Sequence, residues 1–185
     1  MHIETERLVI TEFTPDMAGD VHRNSLDEDN RRFVPDEVFD TEEAAAETLR
    51  FLIAQYGKRE GPLVCPVLLR SSGENIGYVQ LAPVEDGKWE IGYHIAKKQT
   101  GHGYATEAVK AFLPVAAGLN GIDEVYGICL RENEASIRVL RKSGFTPLFT
   151  GTGDYQGEKR EIFRSLWKSE DAILLSETTR KGNEP

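Results

Sequence analysis

The string Lys98-Gln99-Thr100-Gly101-His102-Gly103-Tyr104-Ala105-Thr106-Glu107-Ala108 constrains this chain more than any other. It separates a segment that reads as a β-strand, 89–96, from one that reads as a helix, 104–119. Two glycines one residue apart let the backbone come close to a ligand. Successive N–H groups at a helix N-terminus carry partial positive charge suited to a pyrophosphate, and the Thr106 hydroxyl adds a donor. A bare Gly-x-Gly is more often only a turn, so its position carries the weight. A further strand reads at 124–130, and strand, crossover helix and neighbouring parallel strand make a βαβ-like unit. The dinucleotide-binding pattern Gly-x-Gly-x-x-Gly is not met, because the third glycine is missing and the pair comes late, after a β meander.

The 185 residues predict one domain, and an apolar share of 39% is enough to build a core, which excludes a disordered acidic protein. Residues 7–13 read as an edge-type first strand. Thr14, Pro15 and Asp16 then have the pattern that opens a helix, running to about Leu26. The charged stretch 27–32 reads as a solvated loop. Asp40 or Thr41 caps a second helix, with Glu43 completing a capping box on Asp40, a stripe of Leu49, Leu52, Ile53 and Tyr56 facing inward, and Gly57 or Gly61 ending it. An antiparallel meander follows at 63–70, 76–82 and 89–96. Within the 104–119 helix, Pro114 lacks an N–H and clashes with the Lys110 carbonyl, which predicts a kink or break. Asn133 opens a last helix closed by Gly144, and 145–150 with 158–167 form a final hairpin around Gly151, Gly153 and Gly157. The expectation is a single α+β domain over residues 1–170, with a mixed, largely antiparallel sheet of about seven strands flanked by about four helices. Residues 171–185 read as a polar C-terminal tail with a mobile end.

Twenty-two Lys and Arg against 31 Asp and Glu give a net charge of −9, which repels nucleic-acid phosphates and is compatible with cationic partners. The longest stretch without a charged residue, 111–122, has 12 residues, too few to span a bilayer. No basic head and apolar run opens the chain, so a cytoplasmic protein is expected. Cys65 and Cys129 lie in apolar strand contexts without metal-ligand spacing and read as reduced core thiols, with no metal site.

Three blocks in order resemble the GNAT (GCN5-related) N-acetyltransferases, and more narrowly the branch of ribosomal-protein N-terminal acetyltransferases. They are Glu4-Thr5-Glu6-Arg7-Leu8, then Glu90-Ile91-Gly92-Tyr93 with Gly101-His102-Gly103-Tyr104-Ala105-Thr106-Glu107-Ala108, and then Asn133-Glu134-Ala135-Ser136 with Lys142-Ser143-Gly144-Phe145. The resemblance spans about residues 3–168. It implies acetyl-coenzyme A as co-substrate, with its pyrophosphate on Gly101, His102, Gly103, Tyr104, Ala105 and Thr106 and its pantetheine arm along the strand near Ile95. It also implies a sheet that opens between strands 89–96 and 124–130 to admit the cofactor. Two positions depart from the family pattern. Lys98 stands where the family loop commonly has Gln or Arg, and Leu140 stands where many members have a Tyr that protonates the departing thiolate. The narrower branch suggests Ser136 for the thiol site, one helical turn after Asn133; neither cysteine is near that position in sequence. The alternative is that Asn133 only caps the helix and Ser136 is a tolerated first-turn residue.

An ammonium must lose a proton before it can attack a thioester, so a carboxylate near the acceptor is useful. Glu90 is the candidate base. Glu90, Gly92 and His94 share one face of their strand, which makes His94 the second candidate, although a structural hydrogen-bonding role suits it better. The resulting expectation is direct acetyl transfer in a ternary complex, from acetyl-coenzyme A to a primary amine, with no metal and no covalent enzyme intermediate. The amine belongs to a peptide N-terminus or a small molecule, nucleic acid and membrane are not partners, and a homodimer stays open. The rival reading is an inactive acyl-coenzyme A-binding sensor or regulatory subunit, which the Leu140 departure keeps open.

Overall fold

The computed structural model describes residues 1–58 and 61–170. The alternation of apolar and polar residues from position 63 onward builds the middle of the sheet. Strand β3 (Leu63–Leu69), β4 (Asn75–Pro83) and β5 (Trp89–Ile95) form the expected meander. Before them stand the short strands β1 (Ile3–Glu4) and β2 (Leu8–Ile10). After them come β6 (Glu124–Leu130), β7 (Thr146–Tyr155) and β8 (Glu158–Lys168). The eight strands lie in the order β1-β2-β3-β4-β5-β6-β8-β7, and only β5 and β6 pair in parallel.

Two helical layers follow from the same alternation. Helix α4 (Tyr104–Asn120) and α5 (Glu134–Lys142) cover one face. There Val79 and Leu81 of β4 and Ile91 of β5 pack with Val109, Phe112 and Leu113 in the main core. Full burial of a side chain such as Phe112 contributes about 1.5–3 kcal/mol. Helix α1 (Ala18–Ser25), α2 (Glu28–Phe33) and α3 (Glu42–Ile53) lie on the other side of the chain's first half. Phe13, Ala18, Leu49 and Val64 form a second cluster there, with Tyr78 against it.

The feature that positions the site is an interruption in the sheet. Strands β5 and β6 share one residue pair, Glu90 with Tyr126, whereas β6 pairs along its whole length with β8. Beyond Glu90 the two parallel strands part, as expected from the resemblance, and the edges of both line a gap.

Several local expectations are corrected. Residues 27–32 are not a solvated loop. Asp27 accepts from the Asn30 amide at 2.8 Å and caps α2, and Asn30 is 1% exposed with its Nδ2 donating to the Ser25 carbonyl. Acids in the first turn and Arg31 and Arg32 in the last complement the helix dipole, a pattern hidden by the density of charge. Helix α3 is capped by Thr41, which accepts from Ala44, so Glu43 does not occupy the capping-box position, and the helix ends before Gly57. The first strand is shorter than expected and lies second in the sheet, because residues 3–4 fold back on it as the edge. Of the kink or break expected at Pro114, the break does not occur, since helix α4 continues through it. The proline is exposed, on the side where carbonyls tilt toward water, while buried Leu113, Ala116 and Ala117 pin the opposite side to the sheet. Finally, β7 includes Gly151 and Gly153, and the hairpin turns only at Gln156 and Gly157, both at positive φ as a tight two-residue turn requires. The predicted tail, 171–185, lies outside the described residues.

Candidate active site

The glycine loop is held open by the start of the chain. Gly101 and Gly103 have φ of +84° and +83°, a backbone region that side-chain-bearing residues rarely adopt. The N–H groups of residues 101–106 donate to no other group among the described residues. A Cβ at Gly101 would meet nothing within 4 Å, and at Gly103 only the Arg7 guanidinium at 3.7 Å, so the loop surface faces open space. Arg7 Nη1 donates to the His102 carbonyl at 3.0 Å, and its Nε donates to Glu107 at 2.7 Å. The guanidinium also sits 4.7 Å from the centre of the Tyr104 ring. Glu107 accepts in addition from the Thr5 hydroxyl at 2.6 Å and the Arg7 amide at 3.1 Å. Burial acts to raise the Glu107 pKa, but the Thr5 and Arg7 bonds hold it below the usual carboxylate value. The opening Thr5-Glu6-Arg7 block is thus tied by geometry to the loop about 100 residues away. Lys98 pairs with Glu74 at 2.7 Å. Ile95 is 9% exposed and pairs with Gly77 on β4, leaving its other backbone edge on the gap. This set of free amides and exposed glycine backbone fits a pyrophosphate group.

On the α5 side of the sheet, Asn133 caps the helix by accepting from the Ser136 amide at 3.0 Å. Its side chain therefore performs the bland role weighed from sequence. Ser136 does more than fill the first turn, since its hydroxyl lies 2.7 Å from the Tyr93 hydroxyl, and Tyr93 donates to the Ser136 carbonyl at 3.2 Å. Burial drives the Tyr93 pKa far above its ordinary value. Leu140 is 1% exposed and packs on β6, where a Cβ at Gly127 would fall 2.4 Å from it. Cys65 is buried in the core, as expected for such a thiol. Cys129 is likewise a free thiol of the main core, and it also lines the cleft near Ser136; burial pushes its thiol up to about 11.

The opposite side of the sheet at the gap carries Glu90, Gly92 and His94 of β5 beside Tyr78, Gln80 and Ala82 of β4. Burial pushes the Glu90 carboxyl up to about 7, and no cation pairs with it among the described residues. His94 is 3.1 Å from Asp27, whose carboxylate also accepts from Asn30 and Lys97 amides. The imidazole thereby ties β5 to α2. Glu37, in the 3-10 turn Pro35–Glu37, is likewise pushed up to about 7, by burial first and by neighbouring Asp36, against a hydrogen bond from Gln80. That bond is 3.4 Å long, and Gly92 makes space for it, since a Cβ there would lie 2.4 Å from Gln80 Nε2. Tyr155, at the hairpin tip, donates to the Phe33 carbonyl at 2.8 Å. Burial, followed by the charges of Glu90, Cys129 and Glu37, pushes its phenol up to about 12.

These parts enclose one cavity of about 470 Å³ that reaches both sides of the sheet through the gap. Glu90, Ile95, Asn133, Ser136 and Ala105 all line it, as does Thr100, whereas Gly101, His102, Gly103, Tyr104 and Thr106 lie outside its wall. Among the described residues its lining includes no lysine and no arginine. Glu37, Gln80, Cys129 and Tyr155 are among the lining groups that sequence reasoning missed. A half-buried Glu in Pro35-Asp36-Glu37 looks like any solvated turn until α2 is docked on β4 and β5.

Comparison with known proteins agrees with this geometry. Residues 7–146 match the family model described as an acetyltransferase (GNAT) domain. An uncharacterised N-acetyltransferase of Bacillus subtilis (strain 168), YnaD, is 29% identical over 145 residues, covering 78% of this chain and 82% of that one. A GNAT-family acetyltransferase from Bacillus anthracis superposes with a TM-score of 0.76 at 24% identity, over 91% of this chain and 98% of its own. RimL, a ribosomal L7/L12 α-N-protein acetyltransferase solved with coenzyme A, gives 0.77 at 17% identity, over 92% and 99%. The chain belongs to the GNAT acetyltransferases and is an acetyl-CoA-dependent N-acetyltransferase.

Proposed function

We propose that the chain acetylates a primary amine by direct attack within a ternary complex, the amine entering over Glu90 and the thiol leaving beside Ser136. The observation that carries this reading is the pair of unlike groups on opposite sides of one gap. Glu90 is a half-buried carboxyl whose affinity for a proton lies near neutrality, and Ser136 is a hydroxyl fixed by Tyr93. Acetyl-coenzyme A supplies a thioester whose acyl carbon is the electrophile. The amides of residues 101–106 and the free edge of β5 near Ile95 bind it, and the Asn133 cap fixes the first turn of α5. Glu90 removes the proton from the incoming ammonium, for which a pKa near the working pH is favourable. The Ser136 hydroxyl donates to the sulfur as charge develops there, in place of the acid that Leu140 cannot supply. A peptide N-terminus and a small amine both meet these requirements, and the fold shared with ribosomal-protein acetyltransferases keeps peptides in the panel to be tested.

The test is release of free thiol from acetyl-coenzyme A with peptides and small amines, followed by mass spectrometry of the acceptor. Acetylated primary amine is the expected product. A folded protein that binds coenzyme A yet transfers to no amine would overturn the proposal and restore the sensor reading.

A further inference from the structure

The acceptor side of the cavity has four carboxylates, Asp29, Asp154, Glu37 and Glu90. Two have their own cations, Asp29 with Lys97 and Asp154 with Lys159. Glu37 and Glu90 have none among the described residues. The hydrogen-bond inventory is equally one-sided. Glu37 Oε2 is buried without a partner, and so is Oδ1 of Asn30, a side chain 1% exposed that lines the same cavity. Nearby donors are already committed: Gln80 to Glu37 Oε1, Asn30 Nδ2 to Ser25, the Tyr155 hydroxyl to Phe33, and His94 to Asp27. What complements unpaired acceptors is a group that only donates, and an ammonium offers three donors and no acceptor. Leaving such acceptors buried and unmatched costs free energy that a ligand of this kind recovers.

We infer that Glu37, with Asn30 beside it, anchors a second ammonium, so that the preferred acceptor is a small diamine held at Glu37 by one amino group and acetylated at Glu90 on the other. This rests on the Glu90 reading above. The strand register brings the two carboxyls to one wall: Gln80, which bonds Glu37, lies opposite Gly92, two positions from Glu90 on the same strand face, and both carboxyls line the one cavity. A short alkyl chain between two nitrogens suits that arrangement. The wall without lysine or arginine admits this cation, and it disfavours acceptors that carry a carboxylate or phosphate beside the amine.

The experiment compares matched acceptors at saturating acetyl-coenzyme A: 1,4-diaminobutane with butylamine, and 1,5-diaminopentane with pentylamine. The diamines should have the higher kcat/KM by about tenfold or more, mainly through KM. Glu37→Gln should reduce that ratio to near one, and Glu37→Asp should keep part of it. Calorimetric titration of 1,4-diaminobutane should show binding that Glu37→Gln removes. A wild-type ratio near one, a ratio unchanged by Glu37→Gln, or a peptide that outcompetes every diamine overturns the inference, and the wild-type ratio decides it even if the Gln variant does not fold. Failures are separable. Glu37-dependent diamine binding without acetylation leaves this subsite standing and removes the transfer reading, whereas acetylation of amines with no diamine preference does the reverse.

Discussion

The two sides of the gap are built from opposite physical materials. On the cofactor side, backbone amides face outward, and the groups that hold them are charged and satisfied, with Arg7, from the segment between β1 and β2, and Glu107, in the first turn of α4, closing on the loop. On the acceptor side, Glu37 and Glu90 are half-buried and have no cation among the described residues, and a cross-link between His94 and Asp27 keeps the wall in place. The first arrangement is stable before any ligand arrives. The second holds groups in an environment that disfavours their charged form, so reactivity there comes at the expense of stability.

The sharpest break between the sides is Glu90→Gln. Turnover should fall about 10²- to 10⁴-fold while coenzyme A affinity stays nearly constant, and activity should recover at high pH as the acceptor amine becomes deprotonated in solution. Steady-state rates and calorimetry on the same preparation decide this; equal losses in both would place Glu90 in cofactor binding.

The same variant should gain stability. A carboxyl raised from 4.5 to about 7 contributes its full stability below the unfolded value and loses it as pH rises through about 7. Relative to the wild type, Glu90→Gln should therefore be more stable at pH 8, by on the order of 3 kcal/mol as an upper figure, and nearly equal at pH 4. Denaturant unfolding at the two pH values measures the difference, and a gain of the same size at both would exclude the titration as its cause.

Gly103→Val tests the cofactor side alone. It forces a β-branched residue into positive φ and puts a side chain on the open loop surface, so coenzyme A binding should weaken by at least about tenfold, roughly 1.4 kcal/mol. Unchanged calorimetric affinity in a folded variant would detach the loop from the cofactor. The smallest effect belongs to Ser136→Ala, which should slow turnover by about three- to tenfold, the worth of one hydrogen bond, with little change in coenzyme A affinity. An equal loss of affinity would make Ser136 a ground-state contact.

The cofactor side was legible because its signals are local. Gly101 and Gly103 ahead of a helix, the Asn133 cap and the Glu124–Leu130 strand can all be read within windows of a few residues, where backbone preference dominates. The acceptor side was read in part. The period of two put Glu90, Gly92 and His94 on one face, and that much is geometry of a single strand. It did not show that segment 27–32 folds into a helix over this face, nor that Asp27 would hold His94. Charge density there favoured a loop, because solvation and helix capping use the same residue types.

What the sequence by itself determined is the meander, the glycine loop between β5 and α4 and the polar face of β5, since each depends on conformational preferences that act over one turn or one strand. Only the tertiary structure decided that Arg7 braces the loop, that Ser136 meets Tyr93, and that Glu37 and Glu90 share one cavity with no cation among the described residues. Those are contacts between segments far apart in the chain. Their chemistry depends on burial, and burial is a property of the packed layers that no local stretch of residues contains.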